Sequence, residues 1–301
     1  KTNNAALLAG GGPDVIELDE LPSEQYAKRR LLVDLNELME QDPEFRKISY
    51  FANVIDHAQR DSDGRLYGMP LYFSLIGMFG DADAIGKAGV TFDDASWTWS
   101  RFIDVARQLK QKGDYKYAFA NAPTYLLNEL IEENYARLVR YEKGNAVFDT
   151  DVLSELMQQV KTMFEEELIY DFHLGGRSAS AVAEPGSPNG NAYFFEAELY
   201  SLTDAIRFAP YPNSKLYAKP HPVSAGEGGY FRPFGTLGIN ANSDHPWEAW
   251  DFIRFLLDDE GVQSHIDDLL ESSPGFPMNR NVYEQQKNKL LSEGTIQERG
   301  T

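Results

Sequence analysis

The sequence predicts an α/β fold, with chain enough for two lobes. Three observations carry that reading. Apolar stretches with strand-like spacing alternate along the chain with stretches of helical spacing. The 301 residues are too many for one small core and comfortable for two of ordinary size. Apolar residues make up 42% and charged residues 25%, close to globular averages, so packed interiors are expected and not disorder.

The elements follow in order. "NNAALLAGGG" reads as the end of a helix stopped by Gly10–Gly12. "PDVIEL" is then a short buried strand through Val15, Ile16 and Leu18. "LPSEQYAKRRLLVDLNELME" has helical spacing from Ser23, a fitting N-cap with Glu24 in the first turn. "DSDGRLYGMPLYF" predicts a turn at Asp63–Gly64 and a strand after it. "ASWTWSRFIDVARQLKQKG" is a helix capped by Thr98 or Ser100, apolar along Phe102, Val105, Ala106 and Leu109, and ended by Gly113. "DTDVLSELMQQVKTMFEEELI" is another, with Leu153, Leu156, Val160 and Phe164 inward.

The stretch 178–191 is the most loop-like, with Pro185, Gly186, Pro188 and Gly190 close together. "KPHPVSAGEGGYFRPFGTLGINANS" is a second irregular stretch that runs into a strand, "TLGINA". In "DHPWEAWDFIRFLLDD", Pro246 sits in the first turn, where its missing N–H costs nothing. Trp250, Ile253 and Leu257 recur at helical spacing, Phe252 and Leu256 widen the stripe, and Trp247 stands at its edge. Asp258 or Asp259 would then cap a further helix, "EGVQSHIDDLL".

Charge and composition exclude several functions. Against 28 basic residues stand 47 acidic ones, a net charge of −19 that repels nucleic acid phosphate and anionic lipid. Apolar runs fall short of the ~20 residues that span a bilayer, and the chain does not open on a signal peptide pattern. Cysteine is absent, so disulfides, thiolate metal sites and cysteine nucleophiles are excluded. His57, His173, His221, His245 and His265 show neither HExxH nor a short ligand spacing, and GxSxG and P-loop patterns are missing. No metal and no cofactor is expected. The 16 Tyr, 18 Phe and 4 Trp need a core or a binding surface to occupy.

The block "LGINANSDHPWEAWDFIRFLLDDEGVQ" resembles the C-terminal half of extracellular solute-binding proteins of the maltose-binding type. Three more stretches are similar in the same order: "ALLAGGGPDVIEL…YAKRRLLVDL", "DGRLYGMPL…GDADAIGKAGV" and "WTWSRFIDVARQL". One departure is "FGDADAI", where relatives carry "YYNKDLF". The resemblance implies a two-lobed periplasmic-binding-protein-like fold with a hinge and an interlobe cleft. The lobes would be 1–80 with 212–275 (N-terminal type) and 81–211 with 276–301 (C-terminal type). The first strand–helix–strand unit of relatives and their last C-terminal helices have no counterpart in the sequence. The implied role is substrate-binding component of an ABC importer that captures a sugar or oligosaccharide by lobe closure. It would act as a monomer with the importer's membrane permease as partner, as a cell-surface lipoprotein or in the periplasm.

A sugar site needs flat apolar faces for its C–H-rich sides and planar polar groups for paired hydroxyls. The positions matching the family's cleft follow strand ends, where ligands sit in open α/β sheets. They are Asp19 and Glu20, which also suit a solvated turn; Tyr72, Phe73 and Ser74 after Pro70; and Asn121 and Tyr125, the latter also fit to staple a helix. Glu196 and Tyr200 follow in "YFFEAELYSL", whose Phe194 and Phe195 read as core. In "GGYFRPFG", Tyr230 and Arg232 stand two apart on one side of an extended segment. Arg232 could fork onto a carboxylate or hydroxyl pair, or pair with a nearby acid. Alternatives are a receptor for an acidic sugar or other anion, a surface sensor or adhesin, and, with least support, a glycosidase using Glu196 and Glu198.

Overall fold

The structure, a computed structural model, describes residues 7–57, 64–121, 123–142, 145–170, 192–204, 214–221, 231–258 and 275–293. It is mixed α/β and divides into two compact units. Unit 1 comprises Lys1–Leu75, Leu199–Ile206 and Phe231–Thr301; unit 2 comprises Ile76–Glu198 and Arg207–Tyr230. These bounds differ from the expected lobes: 76–80 and 212–230 fall in unit 2, and 199–206 and 276–301 in unit 1. Strand pairing is the reason. The tail returns as a strand on unit 1's sheet, and the segment before residue 221 pairs inside unit 2.

Unit 1 is built on an antiparallel sheet. β1 (Val15–Glu17) pairs with β9 (Phe231–Ile239), which pairs with the first half of β2 (Met69–Asp81); β10 (Phe276–Pro277) also pairs with β2. Around it lie α1 (Ser23–Lys28), α2 (Leu35–Gln41), α3 (Ala52–His57), α9 (Pro246–Asp258) and α10 (Arg280–Ser292). Leu7, Ile16, Leu18, Tyr26, Leu32 and Tyr67 form one core cluster. Trp250 is fully buried as expected, its indole N–H donating to Asp42 at 2.8 Å and its ring meeting Phe45 edge-on.

Unit 2 takes the second half of β2, with strand order β2–β7–β3–β6 and β8 (Ser214–Tyr217) antiparallel on β2. β3 (Tyr117–Ala120) runs parallel to both β7 (Ala192–Leu199) and β6 (Ile169–Tyr170). α4 (Ala82–Lys87), α5 (Trp99–Lys112), α6 (Pro123–Glu133), α7 (Tyr135–Leu138) and α8 (Thr150–Glu165) accompany it, with a separate hairpin of β4 (Val139–Glu142) and β5 (Asn145–Phe148). Its core is aromatic: Trp97, Trp99, Phe102, Phe119 and Phe194 are buried together.

Of the two caps offered for α5, Thr98 is the one used, accepting from the Arg101 N–H, and Gly113 ends the helix. Other details depart from expectation. The helical stretch from Ser23 breaks into α1 and α2, with Arg30 at φ +55° between them, and Pro22 occupies the N-cap position. Phe164 is 43% exposed, because Met163 takes the inward place after Leu156 and Val160. Phe252 is also exposed, so the buried stripe of α9 is narrower than expected. The loop 178–191, Asp63, the irregular stretch 222–230, Asp259 and the expected helix 260–270 lie outside the described residues.

Candidate functional site

In unit 1 the sheet itself gathers aromatic and polar groups on one face. β2 and β9 pair Tyr72 with Phe234 and Ser74 with Arg232. Directly paired residues share a face, as do residues two apart on one strand, so all four lie on the same side. The Tyr72 and Phe234 rings stack at 5.9 Å between centroids, and Tyr200 meets Phe234 edge-on at 6.0 Å. Tyr200 is 39% exposed, Tyr72 half-buried and Arg232 exposed. Burial pushes the Tyr72 phenol above its ordinary range, so it stays a neutral donor and acceptor. Ser74, on the same face, is fully buried.

Two glycines make room for this group. A Cβ on Gly275, at φ +146°, would fall 2.3 Å from the Phe234 ring, so only glycine lets that ring lie where it does. Gly235 adopts φ +62°, which interrupts the ladder opposite Leu71. Its N–H and that of Thr236 turn to the Asp19 carboxylate, at 2.6 and 3.0 Å on different oxygens. Asp19 therefore braces the kink in β9. Glu20 beside it is exposed.

Unit 2 contributes a different chemistry. Asn121 directly follows β3 and is buried, its N–H donating to the Tyr170 carbonyl at 3.2 Å. The parallel register pairs Ala120 with Phe195, which brings Asn121, just past the end of β3, level with Glu196 in the middle of β7. Tyr125, in the first turn of α6, is exposed. Behind Glu196 lies a charged cluster. Lys219, only 2% exposed, pairs with Glu129 and, at 2.5 Å, with Glu133. The Trp99 indole donates to the other Glu133 oxygen at 3.2 Å. Burial pushes Glu133 up to about 8; Trp99 opposes that, and Glu196 and Glu132 add to it.

Among the expected residues, the fold brings together Tyr72, Ser74, Tyr200 and Arg232 in unit 1, and Asn121 and Glu196 in unit 2. Phe73 faces away from Tyr72, 5% exposed, between Phe51 and Phe276 in the core. Tyr230 lies outside the described residues. Sequence reasoning missed Phe234, although the two-residue alternation through Tyr230 and Arg232 leads straight to it. It also missed Lys219, which reads as solvated in "YAKPHP" while its acids lie some 90 positions earlier. Among the described residues, no group of three or more His, Asp or Glu could hold a metal ion, and no helix is long and apolar enough to cross a membrane.

The comparisons with known proteins identify this mixed α/β fold. The sequence matches the bacterial extracellular solute-binding protein family over residues 2–263, and the chain belongs to that family. The sugar-binding protein MalE of Xanthomonas citri is similar in structure, with a TM-score of 0.65 and 20% identity, over 97% of this chain and 73% of that one. An ABC substrate-binding protein of Listeria monocytogenes, solved in complex with cycloalternan, gives 0.57 and 18% over 95% and 72%. A de novo designed cysteine esterase gives 0.61 and 17% over 98% and 71%. At these identities the likeness speaks for the fold. The family is one of binding proteins, and this chain has no cysteine for an esterase of that design.

Proposed function

We propose that this chain captures a sugar or oligosaccharide for an ABC importer, outside the cytoplasmic membrane, and hands it to the membrane permease. The observation that carries the reading is the Tyr72–Phe234–Tyr200 ring group, open at Tyr200, with Arg232 exposed on the same sheet face. Rings offer the flat apolar surface that a sugar's C–H face needs, and the arginine fork takes paired hydroxyls. Asn121, Tyr125 and Glu196 supply polar and aromatic contacts from unit 2, with Tyr230 and Glu20 completing the proposed set. Asp19 and Phe73 support it, the first through the β9 backbone and the second through the core. The names of similar proteins, a MalE and a receptor complexed with cycloalternan, favour carbohydrate among solutes.

Capture works by closure of two lobes. A ligand shifts that equilibrium only by its differential affinity, so contacts from both sides are required. Micromolar affinity, suited to a receptor that must release its cargo, corresponds to about −8 kcal/mol. Arg232 supports a second reading, a receptor for an acidic sugar or other anion.

A thermal-shift screen against mono- and oligosaccharides, uronates included, tests both. Ligand at a hundredfold excess over Kd stabilises by about 2.7 kcal/mol. A shift with neutral oligosaccharides supports the first reading, and a preference for uronates the second. No shift anywhere in the panel would discard carbohydrate capture.

A further inference from the structure

Among the described residues Lys219 is the most deeply buried charge, and two acids meet it. Two carboxyls contact its ammonium, Glu129 and Glu133 of α6, one helical turn apart. The other groups that bear on Glu133 are the Trp99 indole N–H from α5, the Glu132 carboxylate from α6 and the Glu196 carboxylate from β7. His221, also buried, stands two residues beyond Lys219 on the same segment, tied by backbone hydrogen bonds to Trp97 and Trp99. One ammonium balances one carboxylate. A second ionised carboxylate in the same buried place would face the like charges of Glu196 and Glu132.

We propose that the Lys219–Glu129–Glu133 cluster holds one proton at neutral pH and releases it as the medium turns alkaline, which loosens unit 2. The neutral Glu133 acid still accepts from Trp99 and leaves Glu129 to balance the ammonium, so the charges of the three groups match in the protonated state. Loss of that proton leaves repulsion between α6 and the middle of β7, where Glu196 stands level with Asn121. The sign follows from linkage. The folded state retains a proton that the unfolded chain gives up at the ordinary carboxylate value of 4.5, so stability falls as pH rises from there toward about 8. A receptor outside the membrane meets the pH of its surroundings directly, so this store would report on them.

The test is a titration of the free protein with 13C-labelled glutamate side chains, alongside melting curves of wild type and Glu133→Gln from pH 6 to pH 9. The proposal expects the Glu133 carboxyl carbon to titrate near pH 8. It also expects wild type to lose about 5 °C or more of melting temperature, relative to Glu133→Gln, across that range. A Glu133 resonance titrating near 4.5, or parallel melting profiles, overturns it. If Glu133→Gln does not fold, the wild-type titration decides alone. Neither measurement uses a ligand, so the outcome is separate from that of the sugar screen.

Discussion

The two units hold their candidate groups by opposite means. In unit 1 the face of β2 and β9 carries rings in mutual contact, and the carboxylates beside it, Asp19 and Asp204, hold backbone N–H groups. In unit 2 a buried lysine, Lys219, meets two acids of α6, and Glu196 of β7 bears on one of them. Ring packing changes little with pH or salt, because dispersion and apolar burial carry no charge. A buried charge cluster answers to both its partners and its protons. The difference teaches that one fold can offer a fixed surface from one unit and an adjustable one from the other.

The largest effect that would break this contrast is expected at Lys219. Lys219→Met strands Glu129 and Glu133 in a buried place, and a loss of about 3–5 kcal/mol is expected in denaturant melts. Trp250→Ala, which removes a fully buried ring from unit 1, should cost a similar ~3–5 kcal/mol, but evenly from pH 6 to pH 9, because its partner Asp42 is held below the ordinary carboxylate range. If the two losses varied with pH in the same way, the contrast would fail. A smaller change is expected for Asp19→Ala. It frees the N–H groups of half-buried Gly235 and buried Thr236, where water replaces the carboxylate only in part, so about 1–2 kcal/mol should go. An unchanged melt would mean that the kink in β9 holds itself. The smallest stability effect belongs to Tyr200→Ala, under ~1 kcal/mol for a partly exposed ring. Calorimetry with a sugar found in the screen should nevertheless show affinity weakened roughly 3- to 10-fold. Unchanged affinity would remove Tyr200 from the site.

What the sequence disclosed was mostly local. Thr98 and Gly113 bound α5 because a cap and a stop are decided within a turn of the helix. Trp250, Ile253 and Leu257 are buried as their spacing requires. Misreadings came where a neighbour intervened. Ser23 was the obvious cap, yet Pro22 stands before it and takes that position. Phe164 fits the apolar stripe at the end of α8 no worse than Met163, and spacing alone cannot rank two adjacent residues there. The site shows the same divide. Tyr72 and Arg232 were visible as residues, but their sharing one face needed the register of β2 against β9, which joins positions some 160 apart. Lys219 was invisible for the same reason, since its acids belong to a helix that single-sequence spacing cannot bring beside it.

The discontinuity of unit 1 bears on how the chain comes to be folded at all. Val15 pairs with Ile239, so β1 waits for a partner that emerges more than two hundred residues later. At roughly 5–20 residues per second of synthesis, that wait is on the order of 10–45 s. Unit 2 ends at Tyr230 and has its whole strand set before β9 exists. The first seventy-five residues thus spend the whole of that interval as an open edge, rich in leucine and tyrosine. Order of appearance, and not stability alone, makes this amino-terminal stretch the part of the chain most in need of protection while it is being made.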